Sequence, residues 1–344
     1  MSAGEHVHPH EHPHEHPHDH PHPHPTLDRR TVLAMGGLGI GAFLLAACTP
    51  VGSGSTPSPT LSPNATAGGG TDTLAGFDEF ADTVRTFVSG DYWMVESTGL
   101  PSHSMMVGIT SWQQQFPLPQ AFTGDNAFRL PVTPVLAESP VSARTGLFRG
   151  AIALAVNGVP IFNALNNRGD DALLAGELDE WGGHCGKADD YHYHVAPLHL
   201  QASVGDAKPI AYALDGYAIY GLAEPDGTPV TALDEYNGHN DNAGLYHYHG
   251  TEAYPYINGG LVGVVTIRDD GVDPQPDTPP VREPGEPLRG ATITGFETLG
   301  EGSYRLDYTL AGDTLHVAYQ VMDAAVTFTF TDASGAARTE TYAR

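Results

Sequence analysis

Lysine is nearly absent from this chain, which contains only Lys187 and Lys208. With 15 Lys and Arg against 41 Asp and Glu, and a net charge of −26, it lacks the cations that neutralise phosphates. Nucleic acid is thereby excluded as a partner. Cysteine is equally scarce: Cys48 and Cys185 are too few for a disulfide framework. The apolar run Val32–Ala47 falls short of the ~20 residues a bilayer-spanning helix needs. No Gly-Lys-Ser phosphate loop, Gly-x-Ser-x-Gly elbow or dinucleotide fingerprint occurs.

What is present begins with a secretory layout. Arg29-Arg30 opens the Gly- and Ala-rich apolar run, which ends in Leu45-Ala46-Ala47-Cys48. A charged start, an apolar middle and small residues at the end make a signal sequence, here the twin-arginine variant used by folded cargo. The ending resembles a lipobox, with Cys48 as the lipidated first residue of the mature protein. A plain transmembrane anchor, or cleavage at the small residues, is the alternative. The expected location is therefore outside the cytoplasm, on the outer face of the cell membrane or in the periplasm. Membrane contact is expected through the N-terminal lipid only. Removing residues 1–47 takes away five carboxylates and two arginines, leaving a charge of about −23. Ahead of the signal, residues 1–27 form a His- and Pro-rich tract, with ten His between His6 and His24. Its composition buries no core. Its imidazoles suit nickel, zinc or copper, but it precedes the cleavage site and has no part in the mature function.

Composition divides the remainder. Residues 28–48 are the signal, and 49–73, rich in Ser, Thr, Pro and Gly, are a flexible tether. A body over 74–268 follows, then a Pro-rich linker at 269–288 and a C-terminal module at 289–344. Phe77, Phe80, Val84, Phe87 and Val88 recur at helical spacing and predict an amphipathic helix. A second short helix is predicted around Asp170 to Glu177. From Tyr92 to Arg149, short apolar stretches broken by Pro and Gly predict strands and loops. Ala291–Phe296, Tyr304–Leu310, Thr314–Val321 and Ala325–Thr331 alternate apolar and polar residues, as antiparallel strands do. The fold class expected is α+β, mainly β, with a duplicated core and a small C-terminal antiparallel module.

The chain carries an internal repeat, 151–205 and 209–265. The first copy runs Asn157-Gly158-Val159-Pro160-Ile161-Phe162, Leu178-Asp179-Glu180-Trp181, Gly183-His184 and Tyr191-His192-Tyr193-His194. The second runs Asp215-Gly216-Tyr217-Ala218-Ile219-Tyr220, Leu233-Asp234-Glu235-Tyr236, Gly238-His239 and Tyr246-His247-Tyr248-His249. Two copies in one domain predict a pseudo-twofold body. Tyr-His-Tyr-His has a period of two, so a strand sends both His to one face and both Tyr to the other. Two imidazoles so placed can grip one ion, with the His eight positions upstream as a third ligand. Three His with an open position is the layout of catalytic zinc sites, and imidazole also suits copper. The expected cofactor is zinc or copper, held by His184, His192, His194, His239, His247 and His249 in one shared site or two equivalent ones.

Two further residues are candidate ligands. Cys185 is either buried packing or a protected thiolate ligand. His103, in Pro-Ser-His-Ser-Met-Met, offers a nitrogen beside the thioethers of Met105 and Met106. If the centre is hydrolytic, Asp189 or Asp190 is the candidate base. With copper, redox chemistry involving Tyr191 or Tyr193 is the alternative.

Gly182-Gly183-His184-Cys185-Gly186-Lys187-Ala188-Asp189-Asp190 leading into Tyr191-His192-Tyr193-His194, with Tyr246–His249, resembles the bacterial YHYH domain family over about residues 92–265. The resemblance implies secreted or surface-attached proteins, often with a C-terminal β companion, and implies no activity. A competing function is a non-enzymatic surface module. Tyr191, Tyr193, Tyr246, Tyr248, Tyr254, Tyr256, Trp112 and Trp181 would then stack on a glycan or peptide, with hydrogen-bonding histidines. A store or chaperone for the metal would use the same ligands without turnover.

Overall fold

The computed structural model describes residues 73–344. The His-rich tract, the stretch read above as a twin-arginine signal, Cys48 and the expected tether up to residue 72 lie outside the described residues. The described part is mainly β, as the sequence predicts. No helix in it is long and apolar enough to cross a membrane.

Strands β1 (Arg85–Ser89), β2 (Tyr92–Glu96) and β3 (Phe128–Pro131) form a first antiparallel sheet. Strand β4 (Leu136–Ser142) reaches across the chain to pair with the late strand Gly260–Gly263. Each repeat copy then contributes four strands to an eight-stranded sheet. Copy 1 supplies β5 (Ala151–Ala155), β6 (Pro160–Phe162), β7 (Gly183–Cys185) and β8 (Tyr191–Tyr193). Copy 2 supplies β9 (Ala211–Ala213), β10 (Ala218–Tyr220), β11 (Gly238–Asn240) and β12 (Tyr246–His249).

The strand order, β11-β12-β10-β9-β5-β6-β8-β7, reads as two identical halves placed back to back. They meet where β5 and β9 pair antiparallel. Leu154 faces Tyr212, Ala153 faces Ala213 and Ala155 faces Ala211. The pseudo-twofold axis therefore passes through the Leu154–Tyr212 pair. Within each half a β-hairpin leads by a parallel crossover to the strand carrying Tyr-His-Tyr-His. Strand β5 reads Ala-Ile-Ala-Leu-Ala without a polar residue because it is buried along its whole length.

The remaining described residues add further strands to this sheet's surroundings. Strand β13 (Gly260–Gly263) closes on β4, and β14 (Ile267–Arg268) and β15 (Gly271–Val272) form a small hairpin. The C-terminal residues build a five-stranded meander in chain order. Its strands are β16 (Thr292–Gly300), β17 (Ser303–Leu310), β18 (Asp313–Val321), β19 (Ala325–Thr331) and β20 (Ala337–Ala343). The Pro-rich stretch before it is tied to the body. Gln275 accepts the Ala151 N–H at 2.8 Å, and Arg282 grips Asp189 through two hydrogen bonds of 2.7 and 2.8 Å.

Two helix expectations are corrected. Over 77–88 the chain makes a 3-10 turn at Phe77–Phe80 and then enters β1. Thr83, Val84, Thr86 and Val88 are β-branched, and the Gly90 turn between Ser89 and Tyr92 closes a hairpin, so strand pairing overrides the helical spacing. Around Asp170 to Glu177 a single turn forms, with Ala175 N–H on the Asp171 carbonyl, and Gly176 ends it at φ 69°. One turn is too short to propagate. The α-helix that does form, α1 (Gln201–Val204), follows a 3-10 turn at Leu198–Leu200.

Candidate metal centres

The strand pairing explains how the histidines meet. His184 on β7 lies directly opposite His192 on β8, and His239 on β11 opposite His247 on β12. His194 and His249 stand two residues further along, on the same face. The alternate residues point the other way into the core: Cys185, Tyr191, Tyr193 and Tyr248 are all buried.

Each remaining motif residue supports this arrangement. Asp179 accepts the Trp181 and Gly183 N–H groups at 3.0 Å, and the Tyr191 hydroxyl at 2.7 Å. Asp234 does the same for Tyr236 (2.8 Å), Gly238 (3.1 Å) and Tyr246 (2.9 Å). This is why Leu-Asp-Glu recurs ahead of Gly-His. The glycine recurs because the tyrosine lies over it. A Cβ at Gly183 would collide with the Tyr191 hydroxyl, and one at Gly238 with that of Tyr246. The second tyrosine reaches the Asn-Gly or Asp-Gly turn: Tyr193 accepts from Asn157 at 3.1 Å, and Tyr248 donates to Asp215 at 2.6 Å.

Two nitrogen clusters result, one for each copy. His184, His192 and His194 bring ligand atoms within 4.8 Å of one another, and so do Glu224, His239, His247 and His249. Convergence therefore occurs within each copy. The shared site across the duplication that the sequence allowed does not form, because the two cassettes occupy opposite ends of the sheet.

Backbone carbonyls orient the rings. His192 Nδ1 meets the Asp190 carbonyl at 3.0 Å, His194 Nδ1 the Asn163 carbonyl at 2.5 Å, and His249 Nδ1 the Gly221 carbonyl at 2.9 Å. A carbonyl only accepts, so each of these rings carries its proton on Nδ1 and turns an Nε2 lone pair inward. In copy 1 the Nε2 atoms of His184 and His194 approach to 3.0 Å, and in copy 2 those of His239 and His247 to 3.1 Å. Glu224 places carboxylate oxygens 3.0, 3.2 and 3.5 Å from the three Nε2 atoms of copy 2. His249 Nε2 is buried without a hydrogen-bond partner. A divalent cation between these lone pairs satisfies them all, and nitrogen donors with at most one carboxylate suit zinc or copper over calcium or magnesium.

Burial pushes the His194 imidazole down to about 3, with the neighbouring His192 ring adding to the shift. An unfolded chain takes up that proton near pH 6.5, whereas the folded chain does so only near pH 3. The stability held by the neutral ring is thus complete above about pH 6.5 and is lost as pH falls toward about 3. In metal-stripped protein, the difference in unfolding free energy between wild type and His194→Asn should shrink by about 1.4 kcal/mol per pH unit below about pH 6. Urea unfolding at several pH values measures it, and a pH-independent difference would contradict the assignment.

The other candidates stand elsewhere. Cys185 belongs to the core on the reverse face, 1% exposed, where burial pushes its thiol up. His103 also lies behind the sheet. Its Nε2 meets the Tyr193 hydroxyl at 2.8 Å, and its ring stacks on Trp181 at 4.8 Å between centroids. Asp189 is held by Arg282 and accepts the Phe116 N–H, and it does not join the nitrogen cluster of copy 1. Asp190 sits behind His192, with its carboxylate 3.5 Å from Nδ1, so it steadies the ring from outside. Tyr191, Tyr193, Tyr248 and Trp112 are at most 3% exposed, which removes them as stacking surfaces for a glycan or peptide. Glu224 escaped the sequence reading. Extending the repeat alignment four residues beyond Tyr220 places it opposite Asn166, and that offset is the signal that marks it.

Residues 127–231 match the family described as YHYH protein. The match covers copy 1 and the start of copy 2, stopping short of the second Tyr-His-Tyr-His. No curated protein and no solved structure matches the chain.

Proposed function

We propose that this chain, a member of the YHYH protein family by its residues 127–231, is an exported, lipid-anchored protein that binds two transition-metal ions. Each copy of the duplicated cassette holds one zinc or copper ion. The supporting observation is the pair of inward-facing Nε2 clusters, with buried His249 Nε2 left unpartnered beside Glu224. Anchorage rests on the Arg29-Arg30 signal and the Leu-Ala-Ala-Cys ending at Cys48. When bound, the metal supplies Lewis acidity or, as copper, redox chemistry. The chain's own residues orient His192, His194 and His249 through carbonyl contacts, and burial disfavours protonation of His184, His194 and His249.

The test is metal analysis of processed, untagged protein after equilibration with zinc or copper and exhaustive dialysis. Two ions per chain are expected. Fewer than about half an ion per chain, from folded protein, would end the reading.

A further inference from the structure

The two copies share a backbone but not a ligand count. Glu224 and Asn166 are equivalent positions: the Glu224 N–H bonds the Thr228 carbonyl at 2.9 Å, and the Asn166 N–H bonds the Asp170 carbonyl at 2.8 Å. In copy 2 the side chain at this position is a carboxylate lying against all three imidazoles. In copy 1 it is an amide whose hydrogen bonds go to other groups. Its oxygen accepts the Arg168 and Asp170 N–H groups at 2.9 and 3.1 Å, and its nitrogen faces Glu177 at 3.3 Å. Copy 1 therefore offers three nitrogens and, among the described residues, no fourth protein ligand.

The space beside each cluster differs in the same sense. A cavity of about 410 Å³ is lined by all three histidines of copy 1, with Arg168, Glu177 and Lys187 on its walls. The cleft beside copy 2, about 510 Å³, touches His239 but neither His247 nor His249, and its charged side chains are Glu224, Asp226 and Asp241. Charge separates the two further. Lys208 is spent on Asp78 and Glu79, so Lys187 is the one lysine without a carboxylate partner among the described residues. In so acidic a chain, this exposed lysine is one of the residues lining the copy 1 cavity.

Building on the two-ion reading, we infer that the centres have different tasks. Copy 2 is a closed centre of three histidines and one glutamate that holds its ion as part of the fold. Copy 1 is a three-histidine centre whose fourth position accepts a small anion from the cavity, with Lys187 meeting its charge. Structural sites are saturated by protein, and working sites keep a position for water or substrate. The ligand class is a small oxygen- or nitrogen-donor anion.

Cobalt(II)-loaded full-length mature protein, titrated with azide and followed by visible absorption, tests this. Two cobalt ions per chain should bind, and azide should shift the spectrum of one. Asn166→Glu supplies the missing carboxylate and should abolish the azide response. Glu224→Asn opens the second centre and should double it. Lys187→Gln should weaken azide binding by about two- to fivefold, and an unchanged affinity would remove Lys187 from the site. Two bound cobalt ions that both respond to azide, or both ignore it, overturn the inference and leave the two-ion reading standing. Failure to bind two cobalt ions overturns that reading itself.

Discussion

His249→Ala should reduce bound metal from two ions per chain to one, with the remaining ion in copy 1. The His249 ring is completely buried, is fixed through Nδ1 to the Gly221 carbonyl, and has no hydrogen-bond partner at Nε2. Losing an outer partner of a ligand already costs about 10- to 100-fold in metal affinity, so losing the ligand itself should exceed about 100-fold. The mirror experiment, His194→Ala, should empty copy 1 and spare copy 2, because the clusters share no residue. Thermal unfolding gives an independent readout. A site with free metal at about 100 times its Kd stabilises the folded chain by about 2.7 kcal/mol. In a body of this size that raises Tm by about 5–10 °C. Chelation should erase that increment in wild type, and each variant should lose the share of one site. If either substitution removes both ions together, the sites are not independent and the two-centre description is wrong.

The motif that made the histidines legible also shows what sequence could not give. A period of two fixes which face a side chain takes, so the opposition of imidazoles and tyrosines is legible in the sequence. Whether two such strands meet across the duplication depends on strand order. That order is decided by the antiparallel pairing of Leu154 with Tyr212 at the centre of the sheet, a contact of long sequence separation with no local signature. The same limit hid Glu224, which lies in a loop, outside the aligned tetrapeptides. The helix expected at 77–88 failed for a different reason. Its apolar spacing is helical, but its β-branched residues and the turn at Gly90 favour a hairpin, and pairing with Tyr92–Glu96 decides between them. The C-terminal strands were readable because alternation and Gly- or Asp-containing turns agree there. Only β20, polar in its first half, gave no alternating signal.

Asp215→Ala should unfold the protein at markedly lower urea and loosen copy 2 while leaving copy 1 loaded. This carboxylate is 1% exposed, and burial raises its pKa against the lowering effect of its hydrogen bonds. It accepts the Tyr248 hydroxyl at 2.6 Å, the Gly263 N–H at 2.8 Å and the Tyr217 N–H at 3.2 Å. Three donors on three segments thus end on one group, and Tyr248 stands between His247 and His249 of the copy 2 cluster. Removing the acceptor leaves those donors unsatisfied at about 1–3 kcal/mol each, so a loss of about 3–5 kcal/mol is expected after partial relaxation. Asp215→Asn keeps an accepting oxygen, and copy 1 already carries an amide at the equivalent Asn157, so it should cost about a third as much. Urea midpoints rank the three proteins, and metal analysis of the folded fraction reads copy 2 separately. Equal midpoints for wild type and Asp215→Ala would mean that the tyrosine–aspartate contacts do not hold the histidine strands in place, and the reading of the repeated motif as one supporting framework would fall with them.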